Sequence, residues 1–174
     1  MPGDRPTLYV VDPDEGFADR VRDALARSGT RVVNLQSGID FLNQYAEEAF
    51  QCVFLEMILP GISGLEVQKR LQEEKHSQAR VVFCVSEGGC DPEEAALAMK
   101  RGADDVLLKP ISRRRILDTA FLSLEKARAA EGNKCHAADH VRRVQSLTPR
   151  ELEIAKLVLS GSSRSRVGSV LALG

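Results

Sequence analysis

The sequence predicts an α/β fold, a doubly wound five-stranded parallel sheet followed by a small all-α piece. Three observations carry that expectation. Five short runs rich in Val and Leu recur with little polar–apolar alternation, the pattern of strands buried on both faces. Stretches of helical period separate them. Asp12, Glu56, Ser86 and Lys109 each stand at or just past the end of a run, where open α/β sheets bind their ligands.

The elements follow in order. Leu8–Val11 is the first run and leads to Asp12. Phe17, Val21, Ala24 and Leu25 then recur at helical spacing, and Arg31–Leu35 is the second run. Cys52–Leu55 ends at Glu56 and precedes a turn-rich Leu59-Pro60-Gly61 and Ser63-Gly64. Leu65, Val67 and Leu71 mark the next helix, and Val81–Val85 ends at Ser86. Ala95, Ala96 and Met99 are read as the apolar side of a further helix, before Val106–Leu108 and Lys109-Pro110. Ile111, Ile116, Leu117, Ala120, Leu124 and Ala127 form the stripe of a closing helix that packs on the sheet and extends outward. The α/β domain is expected over 5–128. A helical linker is expected over 129–145, with Gly132, Asn133 and few apolar residues marking 131–139 as its loosest part. From Ser146 a new start appears: Thr148 suits an N-cap, Pro149 the first helical position, and Glu151 completes a capping box. Gly161 ends that helix.

Composition narrows the function. The chain has 174 residues, 43% hydrophobic and 28% charged, enough apolar material for a core without staples. A net charge of −1 announces neither a nucleic acid nor a membrane by bulk charge. No stretch has the length of a membrane span, and the N-terminus lacks a signal-peptide pattern. Cys52 and Cys84 sit inside apolar runs and read as core. No Cys-x-x-Cys pair occurs, and Cys135, His136 and His140 make no zinc spacing. A cytoplasmic protein with reduced thiols is expected. From Val141 on, Arg142, Arg143, Arg150, Lys156, Arg164 and Arg166 outnumber Glu151 and Glu153, a local excess that suits phosphates.

QCVFLEMILPGISGLE over 51–66, with Asp12 before it and Lys109-Pro110 after, resembles the receiver domain of two-component response regulators. LTPRELEIAKLVLSG over 147–161 resembles the opening of a LuxR-type helix-turn-helix. Together they resemble response regulators of the FixJ/NarL class, and the resemblance covers nearly the whole chain. It implies a flavodoxin-like receiver, then the first part of a DNA-binding domain over 146–174. It implies a transcriptional regulator with a sensor histidine kinase and DNA as partners, acting as a homodimer away from the membrane; no enzyme is expected, since the residues offer no nucleophile–base pair or intact metal site. Arg142, Arg143, Arg150, Arg164 and Arg166 would meet the DNA backbone.

Carried over residue by residue, the family's acidic pocket falls on Asp12, with Asp14 as a neighbouring acid, and its phosphoacceptor on Glu56. The hydroxyl and lysine that contact the phosphoryl group fall on Ser86 and Lys109. Magnesium ligands would be Asp12, Glu56 and the carbonyl of Ile58. Three positions depart from the pattern. The second acid falls on Pro13, the acceptor aspartate on Glu56, and the aromatic switch residue on Val106. Phosphoryl transfer needs positioned oxygens and a metal to neutralise developing charge, and magnesium demands near-octahedral geometry. The Glu56 carboxylate sits ~1.5 Å beyond that of an aspartate. A misplacement of about 1 Å costs on the order of a hundredfold in rate. Magnesium binding is therefore expected to be weak or absent. The longer acid also reaches towards Ser86 and Lys109, so Glu56 is expected to imitate a phosphorylated aspartate. The competing expectations are a degenerate receiver serving as an interaction or dimerisation module, and, more weakly, a receiver phosphorylated on Glu56. The chain ends at Gly174, about where a recognition helix would begin. Either a longer regulator continues, or this protein does not read bases.

Overall fold

The computed structural model describes residues 6–45, 51–73 and 79–145, with side chains through residue 130. In order they form β1 (Thr7–Val11), α1 (Glu15–Leu25), β2 (Arg31–Leu35), α2 (Gly38–Gln44), β3 (Gln51–Leu55), α3 (Gly64–Glu73), β4 (Arg80–Val85), α4 (Pro92–Lys100), β5 (Asp105–Leu108) and α5 (Arg113–Gln145). The five strands make one parallel sheet in the order β2-β1-β3-β4-β5. Strand order reverses between β1 and β3, the switch point at which doubly wound sheets hold ligands.

Each face of the sheet carries its own core. Leu8, Val10, Cys52, Phe54, Val82 and Cys84 pack on one side with α1 and α5, through Phe17, Val21, Ile116 and Ala120. Tyr9, Val11, Val53, Leu55, Val81 and Phe83 pack on the other with Phe41 of α2 and Val67 and Leu71 of α3. Alternate residues of one strand thus serve opposite cores, which is why β1 and β3 read as unbroken apolar runs. The edge strands differ: β2 is largely half-buried, and Leu108 on β5 is exposed. Burial pushes the Cys52 thiol up to about 12, in keeping with a core residue.

The stripes of α1 and α5 fall where the sequence places them. That of α4 does not. Only Ala98 is buried there, and Met99 is exposed, because α4 lies over the short edge strand β5 and has little sheet to cover. The α4 start is fixed instead by a capping box between Asp91 and Glu94, with Pro92 in the first turn. α2, for which no stripe is legible in the sequence, is capped by Ser37 and buries Phe41.

Two compact units divide the chain, Met1–Glu131 and Gly132–Gly174. α5 is one unbroken helix to Gln145, so Gly132 and Asn133 do not interrupt it. The expected helix start at Thr148, and with it Arg150, Arg164 and Arg166, lies outside the described residues, whereas Arg142 and Arg143 belong to the last turns of α5.

Candidate functional site: a closed charge cluster at the switch point

Parallel register builds this site. Val11 on β1 stands beside Leu55 on β3, so the next residues, Asp12 and Glu56, emerge side by side. Their backbones continue the ladder: Asp12 N–H donates to Leu35 O at 2.9 Å and Glu56 N–H to Val11 O at 3.0 Å. Val85 pairs with Leu108, and Lys109 N–H donates to Val85 O at 2.8 Å, which delivers Ser86 and Lys109 to the same end. Gly64 closes the floor. Its N–H donates to Met57 O at 2.8 Å, and a Cβ there would stand 2.4 Å from Glu56 O.

Glu56 is the centre of the cluster, at 3% exposure. Its Oε2 accepts from Ser86 Oγ at 2.7 Å, Ser86 N–H at 3.2 Å and Lys109 Nζ at 2.8 Å. Its Oε1 accepts from Met57 N–H at 2.7 Å. Lys109 Nζ also donates to Asp12 Oδ2 at 2.5 Å, while Asp12 Oδ1 accepts from Asp14 N–H at 2.8 Å. Both carboxylates and the ammonium are nearly buried, and a buried ion pair persists only when its remaining lone pairs are satisfied, as here. Burial raises the Asp12 carboxyl above its ordinary range, by more than the bonds from Lys109 and Asp14 lower it. For Lys109, burial acts to lower the pKa, but the bonds to Asp12 and Glu56 outweigh it and hold the ammonium above its ordinary value.

The structure brings Asp12, Glu56, Ser86 and Lys109 into contact. It places Asp14 differently: its side chain caps α1, with Oδ1 accepting from Gly16 N–H at 2.9 Å. Glu15 hydrogen-bonds Gln36 at 2.6 Å. Ile58 is exposed and lines an open cleft of about 310 Å³ with Asp12, Pro13, Asp14, Glu56, Ser86 and Glu87. Sequence reasoning missed Phe17 as part of the site. The Lys109 ammonium lies over its ring, 4.8 Å from the centroid, and the same residue reads in sequence simply as the first apolar position of α1.

Residues 8–121 match the response regulator receiver domain family. The chain belongs to that family. It is 28% identical to the transcriptional regulatory protein TdiR of Thauera aromatica over 171 residues, covering 98% of this chain and 74% of that one. It is 29% identical to the transcriptional regulatory protein FixJ of Bradyrhizobium diazoefficiens over 160 residues, covering 92% and 77%. Among solved structures it is similar to the response regulator StyR, with a TM-score of 0.79 at 27% identity over 98% of this chain and 84% of that one. Full-length FixJ from B. japonicum gives a TM-score of 0.62 at 27% identity, covering 97% and 82%. The chain is thus a response regulator of two-component signalling whose relatives are transcriptional regulators.

A receiver ordinarily implies magnesium, and the residues here do not fit it. Pro13 offers no carboxylate, Asp14 is turned to its helix cap, and every carboxylate oxygen of Asp12 and Glu56 already accepts from a donor. Among the described residues no three His, Cys, Asp or Glu side chains gather to hold a metal. Nor is any described helix long and apolar enough to cross a membrane.

Proposed function

We propose that this response regulator controls transcription through a receiver that carries its activating charge in its own sequence. Glu56 replaces the phosphoacceptor and holds Ser86 and Lys109 as a phosphoryl group on an aspartate would. The observation that carries the reading is one oxygen, Glu56 Oε2, bonded at once to Ser86 Oγ at 2.7 Å and Lys109 Nζ at 2.8 Å. The receiver neither binds magnesium in the usual way nor accepts phosphate, so a sensor histidine kinase is not needed to switch it. It is not an enzyme. The protein is cytoplasmic and acts as a homodimer, and DNA is reached through the C-terminal unit, where Arg142 and Arg143 precede the basic residues of 146–174.

Val106 supports a second reading. It is half-buried against the core where the family places an aromatic switch ring, and it is too small to relay a change by rotating. On that reading the domain serves as a fixed dimerisation or interaction module.

The test of the main reading is incubation with acetyl phosphate and magnesium, followed by intact-mass spectrometry. No added phosphoryl mass is expected. A substantial adduct that disappears in Glu56→Gln overturns the proposal and makes Glu56 an acceptor.

A further inference from the structure

The ammonium of Lys109 has three hydrogens to give and no acceptor capacity. Two are accounted for by Asp12 Oδ2 at 2.5 Å and Glu56 Oε2 at 2.8 Å. The Phe17 ring lies on the same nitrogen, 4.8 Å from centroid to Nζ, within the range of a cation–π contact. Phe17 is fully buried, and the Lys109 side chain is 10% exposed, so water has little access to compete. A ring face carries partial negative charge and is worth more to a cation when both are desolvated.

We infer that Phe17 is a positioning residue that completes the coordination of Lys109, so that this lysine stands as the permanent internal cation between Asp12 and Glu56. The inference deepens the proposed function, because it states why the site is closed to an external cation as well as to phosphate. Two carboxylates brought together at a sheet switch point need a positive charge between them. Here the chain supplies it, and the aromatic face keeps the ammonium from swinging out into the cleft lined by Pro13, Ile58 and Glu87. Phe17 is placed for this by helix geometry. It follows the Asp14 cap by three residues, and its backbone N–H donates to Asp14 O at 3.1 Å, which fixes the first turn of α1 beneath the site.

Two measurements on the full chain test it. The first is the hydrogen-exchange rate of the Lys109 ammonium, read from its nitrogen-15 signal in wild type, Phe17→Leu and Phe17→Tyr. A protected ammonium is expected in wild type and in Phe17→Tyr, which keeps the ring. Exchange at least tenfold faster is expected in Phe17→Leu, a gap of about 1.4 kcal/mol, the order of a desolvated cation–π contact. Thermal melts alongside separate this from general loosening: an ammonium exposed only in proportion to lost stability overturns the positioning role. So does an unprotected Lys109 in wild type, or equal exchange in all three.

The second measurement is manganese binding by electron paramagnetic resonance in wild type and Lys109→Met. Removing the internal cation leaves Asp12 and Glu56 uncompensated, and binding at least tenfold tighter than wild type is expected. Unchanged binding contradicts the internal-cation role. If Lys109→Met does not fold, Lys109→Arg serves: its larger planar head does not fit between the two acids and the ring, so intermediate binding is expected, and binding equal to wild type overturns the inference. Failure of the phosphomimic reading would appear in self-association of the protein and leave these results untouched.

Discussion

Replacing Glu56 by Gln keeps the side-chain shape and removes one charge from a nearly closed cluster. The Glu56–Lys109 pair lies at 2.8 Å with side-chain exposures of 4% and 10%. At that distance and an effective dielectric near 20, the direct attraction is roughly 6 kcal/mol. Desolvation of both ions removes much of it. Asp12 stays at 2.5 Å from Lys109, so the ammonium keeps one counter-charge, and its repulsion with Glu56 is relieved. The net loss should fall below the ~3–5 kcal/mol typical of breaking a buried pair, at about 2 kcal/mol. At roughly 4 °C per kcal/mol for a domain of this size, the melting temperature should drop by about 8 °C. Glu56→Asp keeps the charge but withdraws it by ~1.5 Å, and an intermediate loss of about 1 kcal/mol is expected. Urea denaturation and thermal melts of the three proteins give the values. If both variants stay within about 0.5 kcal/mol of wild type, the range of ordinary surface changes, the cluster does not hold the site together.

Three further outcomes concern Asp104, paired with Arg80 at the opposite end of the sheet, and Asp12 and Gly64 at the site. Asp104 is held below its ordinary pKa: burial acts to raise it, but bonds from Arg80 and Ser123 and the charges of Arg80 and Lys126 outweigh burial. Its folded pKa is depressed, so its contribution is fully present above the unfolded value of 3.8 and is lost as pH falls through the folded pKa. Asp104→Asn should cost about 2 kcal/mol at pH 7 and flatten the acid limb of a stability–pH curve, whereas an unchanged limb would show that Asp104 does not contribute to acid stability. Asp12 acts with the opposite sign: its raised pKa makes stability fall as pH rises above the unfolded value of 3.8. Gly64→Ala should cost about 1–3 kcal/mol by denaturation, because its Cβ would meet Glu56 O at 2.4 Å and must shift the strand end that carries Glu56.

Much of the fold was legible because the central strands are buried on both faces. Apolar continuity marked β1, β3 and β4, and the stripes of α1 and α5 read correctly because those helices cover the sheet centre. Periodicity failed at α4, where an edge position leaves Leu97 and Met99 exposed and a capping box sets the helix start. At the site, the strand-end positions of Asp12, Glu56, Ser86 and Lys109 were readable, since a parallel register necessarily aligns such ends. The direction of Asp14 was not, because an acid just before a helix serves equally as a cap or a ligand until the turn is built. Nor was the stacking of Lys109 on Phe17, which joins residues far apart in the sequence.

In the proposed function Glu56 supplies the activating charge in place of phosphate. Sedimentation of the full chain with no phosphodonor, compared with Glu56→Gln, tests it most directly. The wild type should self-associate more strongly than the variant, and acetyl phosphate with magnesium should change neither. Equal association of the two proteins, or a wild type that dimerises only on addition of the donor, would contradict it.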